Sequence, residues 1–271
     1  MKKPHIPLET LQAQAMACHA CPLADGRTNV VFGTGNPQAR VLIVGEAPGK
    51  NEDLQGVPFV GAAGQYLNEL LAYAGLRRED VYIANVLKCR PPGNRNPLPS
   101  EIEVCTPFLR EQTRTIDPLF IVTLGNFATK FILKTDRGIT GLHGKLYQTG
   151  KFKVFPVFHP AAAIYDRRKR TDLEEDFATL GEYLLQEGVV ERTPQSVVRE
   201  AEAQARAQTT GAGAAGAAGA AGAGAASMPA APGAPNAAAP GTAPAGGAQP
   251  ATPGNLTEPT SHAGEQESLL F

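Results

Sequence analysis

Four short apolar runs punctuate the first part of the chain: VLIVG from Val41 to Gly45, VYIAN from Val81 to Asn85, LFIVTLG from Leu119 to Gly125 and KVFPVF from Lys153 to Phe158. None alternates apolar with polar positions as a half-exposed strand does. Their continuous apolar character suits strands covered on both faces, as in a parallel sheet. Between the first two, AAGQYLNELLAYAG sets Leu67, Leu70, Leu71 and Ala74 on one helical face and stops at Gly75, where a helix C-terminus favours glycine. Ser100 followed by Glu103 reads as a capping box that opens the next helix and leaves Cys105 in its second turn. GNFATKFIL after the third run is a short helix, and Thr171 to Gln186 is another. Strand and helix alternate throughout, which predicts an α/β protein, a three-layer α/β/α sandwich around a central four-stranded parallel sheet.

The periodic pattern stops near Arg192. From about Ala201 the chain becomes almost pure Ala, Gly, Pro, Thr and Gln, without the aromatic or β-branched apolar residues that build a core. Glycine at every second or third position costs roughly 1 kcal/mol each in a helix and removes the helical option that the alanines suggest. The organisation expected is therefore one domain over 1–193, a disordered C-terminal tail with its linker over 194–265, and a short terminal peptide over 266–271. The formal net charge of -1 averages a slightly basic domain and a tail whose few charges are nearly all acidic. That balance neither demands nor excludes nucleic acid. The start MKKPHIPLETLQ has no apolar signal-peptide core, and no run is long enough to span a bilayer, so a cytoplasmic location and no membrane partner are expected.

The chain has four cysteines, Cys18, Cys21, Cys89 and Cys105: one close pair, then two more beyond a long gap. A cytosolic setting disfavours disulfides and favours metal ligation. Zinc knuckles usually present two close pairs, whereas the second pair here is spread over Cys89-x15-Cys105, which leans toward an iron–sulfur cluster and away from zinc. Four reduced cysteines packed as small hydrophobes remain the plain alternative.

In open parallel sheets, ligands gather at the carboxyl ends of the strands. The first run ends in Gly45-Glu46-Ala47-Pro48-Gly49-Lys50-Asn51-Glu52-Asp53, a glycine-bounded turn with three carboxylates. It falls one residue short of a phosphate-binding loop and has Asn51 where that motif needs Ser or Thr, and its carboxylates would repel a triphosphate. The second run ends at Asn85, an amide that donates and accepts at once, and the fourth at His159-Pro160. Singly, these read as a turn former, a half-buried histidine and a solvated loop charge. Together with Phe59 in GVPFVGAAG they describe a pocket for a small, planar, polar ligand.

The motifs CHACPL, GEAPGKNEDLQGVPFVGAAG, NVLKCRPPGNRNPLPSE and HPAAAI, in that order, resemble the thermophile-type, iron–sulfur uracil-DNA glycosylases, family 4 of the uracil-DNA glycosylase superfamily. The resemblance spans essentially the whole domain. It implies a 4Fe-4S cluster on Cys18, Cys21, Cys89 and Cys105, and a uracil pocket lined by Gly45, Glu46, Glu52, Phe59, Asn85 and His159. It implies that the enzyme flips uracil out of DNA and hydrolyses its N-glycosidic bond, leaving an abasic site. Flipping costs a few kcal/mol, recovered by stacking and edge hydrogen bonds. Phe59 supplies the stacking face, and Asn85 pairs with the uracil edge in a pattern that cytosine would frustrate. Glu52, by its place in the motif, is the wall against the thymine methyl. His159 answers the negative charge that develops at uracil O2, and Glu46 holds the water or steadies the sugar cation, so Glu46 and His159 form the catalytic pair.

Two alternatives stand beside this reading: a noncatalytic iron–sulfur nucleic-acid-binding module, and a glycosylase of broader specificity for deaminated bases. The broader branch carries GLAPG-type turns, and Glu46 argues against it. A relative with a covalent DNA trap uses a KRRIH-like insertion, where this chain has KCRPPGNRNPLP. After His159 the family usually shows a bulky aliphatic residue and an arginine; here Ile164 is followed by Tyr165 and Asp166. Ile164 is then the wedge for the emptied base stack, with Tyr165 as substitute. Arg167, Arg168, Lys169 and Arg170 offer phosphate contacts, as do Arg90 and Arg95 beside the cysteine segment. Glycosidic hydrolysis moves no electrons, so the cluster's expected work is to pin this scaffold. A monomer associated with the nucleoid is expected. The chain ends GEQESLLF, with Gln266, Leu269 and Phe271 spaced like the peptides by which bacterial repair proteins dock on the β sliding clamp.

Overall fold

The computed structural model describes residues 6–191. The linker over 194–265 and the terminal peptide with Gln266, Leu269 and Phe271 lie outside the described residues.

Within them, the four apolar runs become the parallel strands β2 (Val41–Gly45), β3 (Tyr82–Asn85), β4 (Phe120–Leu124) and β6 (Phe152–Val157). Every residue of β2, β3 and β4 is buried, as strands covered on both faces require. The expectation of four strands is too small by two. Short edge strands β1 (Thr34–Gly35) and β5 (Tyr147–Thr149) add antiparallel to β3 and β6, giving a six-stranded mixed sheet in the order β1-β3-β2-β4-β6-β5. At two and three residues they are too short to carry a pattern of their own.

Strand side chains alternate between two cores. Val41 and Ile43 of β2, Phe120 and Val122 of β4, and Phe155 of β6 face one side. They meet Leu67, Leu70 and Leu71 of α4 (Ala62–Tyr73) and Leu173, Phe177, Leu180 and Leu184 of α8 (Arg167–Gln186). Leu42, Val44, Ile121 and Val154 face the other side, against Leu109 and Ile116 of α5 (Pro99–Ile116) and Ala128 and Ile132 of α6 (Gly125–Leu133). The three-layer sandwich is thus present. A smaller third cluster joins Leu11 and Ala15 of α1 (Leu8–Met16) and Leu23 of α2 (Leu23–Gly26) to Leu87 and Cys89. No described helix is long and apolar enough to cross a membrane.

Two helix starts differ from the sequence reading. In α5 the reciprocal cap comes two residues earlier than Ser100 and Glu103: Pro99 is the first helical residue and Glu101 Oε2 accepts the Leu98 N–H at 2.8 Å. Glu101 is itself buried and ion-paired to Arg95 at 2.6 Å, so the buried carboxylate rather than an exposed serine sets the boundary. Helix α8 begins at Arg167 rather than Thr171, because Asp166 Oδ1 accepts the Arg168 N–H at 2.9 Å. Cations in a first helical turn oppose the helix dipole; here they pair forward, Arg170 with Glu174 and Lys169 with Asp172.

Candidate active site and cysteine centre

The carboxyl ends of β2 and β3 lie in register, Gly45 beside Asn85. A Cβ at Gly45 would sit 2.3 Å from Asn85 Oδ1 and 2.8 Å from Phe59 Cζ, so the glycine is what lets amide and ring approach the strand end. Asn85 is buried, and its Oδ1 is the one fully buried side-chain polar atom among the described residues with no hydrogen-bond partner. Such an orphan costs about 1–3 kcal/mol unless a ligand supplies the donor. It opens on a cavity of about 380 Å³ walled by Glu46, Glu52, Phe59 and His159.

Phe59 adopts a left-handed backbone conformation, φ 53°, which a non-glycine residue holds only when its surroundings impose it. Arg78 supplies the imposition from one side, donating to Pro58 O at 2.6 Å, Phe59 O at 3.2 Å and Asn68 Oδ1 at 3.2 Å. Glu52 of α3 (Lys50–Gln55) supplies it from the other, its Oε1 accepting the N–H groups of Val60 and Gly61 at 3.0 and 2.9 Å. Gly64 completes the frame, since a Cβ there would lie 1.9 Å from Phe59 O. The ring ends up stacked near His159, centroids 5.7 Å apart and planes 30° from parallel.

His159 caps α7 (Pro160–Tyr165): its Nδ1 accepts the Ala161 N–H at 3.1 Å. In the neutral ring the proton must then sit on Nε2, leaving a donor for a ligand. Burial pushes the imidazole down to about 4, against a smaller upward pull from Glu52, so the ring is neutral at physiological pH.

The three carboxylates of the first turn have separate fates. Asp53 is buried and accepts the Thr28 N–H at 2.9 Å, tying the N-terminal segment to α3. Glu52 holds the Phe59 loop. Glu46 is half-buried and walls both the base-sized cavity and an adjoining groove of about 570 Å³, and burial pushes its carboxyl above the usual range. His159 borders both spaces too; Lys130 and Lys134 lie farther along the groove.

Cys18, Cys21, Cys89 and Cys105 all line one small cavity of about 20 Å³, and all four are free thiols. Arg27 Nη1 donates to Cys89 Sγ at 3.4 Å and to Cys18 O at 2.8 Å, while the Lys88 N–H donates to Cys105 Sγ at 3.3 Å. Among the described residues no three His, Cys, Asp or Glu side chains are drawn together to hold a metal ion. Four free thiols around a common space, with cationic and amide donors on two of them, are a donor set of the kind that thiolate-bound metals and clusters use.

The expected DNA contacts are dispersed. Ile164 stands exposed on α7, and Tyr165 belongs to the same helix. Arg167 and Arg168 are exposed at the start of α8. Arg95 borders the base-sized cavity but is held by Glu101, and Arg90 donates to Asn94 Oδ1 at 2.7 Å. Sequence reasoning passed over Arg78, Arg27, Lys88 and Gln112, long polar side chains that read as surface. For Lys88 a signal existed: it stands alone in an otherwise apolar stretch, VLKC, between a strand end and a cysteine.

An α/β/α protein whose strand ends frame a ring, an unsatisfied amide and a neutral imidazole has the kind of apolar cavity with a few convergent polar groups that small-molecule sites use. The family model described as the uracil DNA glycosylase superfamily matches residues 32–181. Relatives named type-4 uracil-DNA glycosylase include those of Archaeoglobus fulgidus, 48% identical over 65% of this chain and 92% of the relative, and Sulfurisphaera tokodaii, 46% identical over 65% and 84%. That of Thermotoga maritima is 44% identical over 67% of this chain and 96% of its own. The chain belongs to the uracil-DNA glycosylase superfamily, in its type-4 family.

The histidine carries a pH signature. A ring at about 4 when folded and 6.5 when unfolded binds its proton more weakly in the native state, so stability is full above about pH 6.5 and falls as the pH drops toward 4. Glu46, raised by burial, contributes with the opposite sign, so the comparison with a His159→Gln variant isolates the ring. Denaturant midpoints between pH 7 and pH 4 should fall more steeply in the wild type than in the variant. Equal slopes would contradict a buried neutral His159.

Proposed function

We propose that this protein is a monofunctional uracil-DNA glycosylase that starts base excision repair. The observation that carries the reading is the buried Asn85 Oδ1 without a partner, at the floor of a cavity with a stacking ring and a neutral imidazole. Uracil N3–H supplies the missing donor, the Asn85 amide donates to O4, and Phe59 takes the face of the base. Cytosine offers no N3–H and presents an amino donor where O4 would be, leaving the same oxygen unsatisfied. Glu52, at the wall of the cavity, would exclude a 5-methyl group.

In the reaction, the bond between uracil N1 and the sugar C1′ breaks and its electron pair leaves with the base. His159 donates from Nε2 to O2, where that charge accumulates. Glu46, between cavity and groove, faces the sugar: as a carboxylate it steadies the cationic C1′ and orients the water that attacks it, and the water's proton departs to solvent. Uracil takes a proton on release. The DNA strand runs out along the groove past Lys130, with Ile164 or Tyr165 filling the vacated stack and Arg90, Arg95, Arg167 and Arg168 near phosphates.

Cys18, Cys21, Cys89 and Cys105 would hold a 4Fe-4S cluster, which when bound would cross-link the connection between α1 and α2, the segment after β3, and α5. Arg27 and the Lys88 N–H supply the hydrogen bonds its thiolates need. A cytoplasmic, nucleoid-associated monomer fits this work.

The test is a uracil-containing oligonucleotide incubated with the protein in EDTA. Strand breaks should appear only after alkali, and Cys105→Ser should lose iron, acid-labile sulfide and thermal stability together. Intact strands would leave the noncatalytic binding module as the reading. Breaks without alkali would instead implicate a lysine such as Lys130 in lyase chemistry.

The terminal Gln266, Leu269 and Phe271 would dock on the β sliding clamp, Gln by its amide and Leu and Phe in an apolar pocket, at the end of a long tether that keeps local concentration high. Removing residues 266–271 should abolish clamp affinity while uracil excision on short oligonucleotides stays at the wild-type rate. Unchanged clamp binding would end the idea.

A further inference from the structure

Lys88 is among the largest side chains with essentially no exposure, an ammonium group sealed between the two centres described above. Its Nζ donates to Asn85 O at 2.8 Å and to Gln112 Oε1 at 2.5 Å. Its backbone N–H donates to Cys105 Sγ at 3.3 Å, and the next residue is Cys89. Gln112 is held in turn: its Nε2 donates to Phe32 O at 2.9 Å, and the Tyr82 hydroxyl lies 3.4 Å away. The ammonium therefore faces two neutral oxygens and the Phe32 ring, 5.9 Å to its centroid. Among the described residues no carboxylate pairs with it.

A buried cation whose two hydrogen-bond acceptors are both neutral, with only the Cys105 sulfur favouring its charge, is a costly way to hold a loop, and a methionine or leucine would fill the volume without the desolvation. What an apolar residue would not do is fix the peptide oxygen of Asn85. That oxygen belongs to the residue whose side chain reads the base, at the last position of β3, where the sheet ladder ends. Resting on the reading of Asn85 given above, we infer that Lys88 is a positioning residue that locks the Asn85 amide in its base-reading pose and ties that pose to the cysteine centre through Cys105. Charge-assisted hydrogen bonds are the strong ones, and Nζ spends one on the strand end and one on the anchored Gln112. Movement at Cys105 would shift the Lys88 backbone and, through Nζ, the floor of the pocket.

The prediction is a coupling. Lys88→Met, which keeps the length and removes the donor, should lower kcat/KM for uracil excision about tenfold or more and raise the inhibition constant of free uracil by a similar factor. The affinity for DNA carrying an abasic site, which presents no base, should not change. In an Asn85→Ala background the same change should add little, because the group being positioned is gone. Lys88→Arg keeps the charge beside the cysteines but cannot set one nitrogen on both acceptors; it should show the same non-additivity at smaller size, and serves if the methionine variant does not fold. Wild-type kinetics in either folded variant, or losses that multiply with those of Asn85→Ala, would overturn the inference. If neither variant folds while an Asn85→Ala, Lys88→Met double variant also fails, Lys88 acts on the fold and the inference is likewise lost. Absence of uracil excision in the wild type would instead refute the proposed function, so the two failures are told apart.

Discussion

A buried oxygen without a donor is the constraint around which this molecule is arranged. Asn85 Oδ1 sits buried at the carboxyl end of a fully buried parallel strand, on the wall of the cavity, with no donor of the protein beside it. Leaving it unsatisfied costs about 1–3 kcal/mol in the free protein, a cost that the base edge of the proposed substrate would offset on binding. Its neighbours follow from that choice. Gly45 has no side chain because a Cβ would occupy the oxygen's place, Phe59 turns into a left-handed conformation to bring its ring alongside, and Gly64 leaves room for the turn. Arg78 and Glu52 hold that turn from opposite sides with hydrogen bonds to its backbone.

The charges of the site are separated by the same logic. Of the three carboxylates in one short turn, Asp53 and Glu52 are engaged with backbone N–H groups, so Glu46 remains at the boundary between cavity and groove. His159 takes a backbone N–H on one nitrogen and offers a proton on the other, and burial keeps it neutral. In the proposed reaction, a neutral donor would serve a leaving group that becomes anionic without placing a cation in the pocket beforehand. The cysteine centre lies behind this arrangement and meets it at Lys88.

Much of this was legible in the order of residues, for identifiable reasons. Four all-apolar runs can be little else than strands covered on both sides, and the Leu67, Leu70, Leu71 stripe leaves one face for a helix to bury. Turn residues such as Gly45 and Asn85 stood at strand ends, where chemistry concentrates. What escaped were features that depend on tertiary partners. The edge strands are too short for periodicity, and α5 and α8 start where Glu101 and Asp166 find N–H groups, not where the nearest serine or threonine stands. Glu52 read as a wall for the base, and its hydrogen bonds hold the loop at Val60 and Gly61. Arg78, Arg27 and Lys88 are long cations that local pattern assigns to the surface, and only the folded chain brings carbonyls and sulfurs within their reach.

The central claim, that the orphaned acceptor is kept for the base at a cost to the free protein, is tested most directly by Asn85→Leu, which preserves the branched shape and removes both polar atoms. Melting temperature and uracil excision measured on the same preparation decide it. The account predicts a melting temperature equal to or above the wild type, with kcat/KM for uracil down by about 100-fold or more. A variant that excises uracil within a few-fold of the wild type, or one that loses activity only because it melts well below it, would contradict the account.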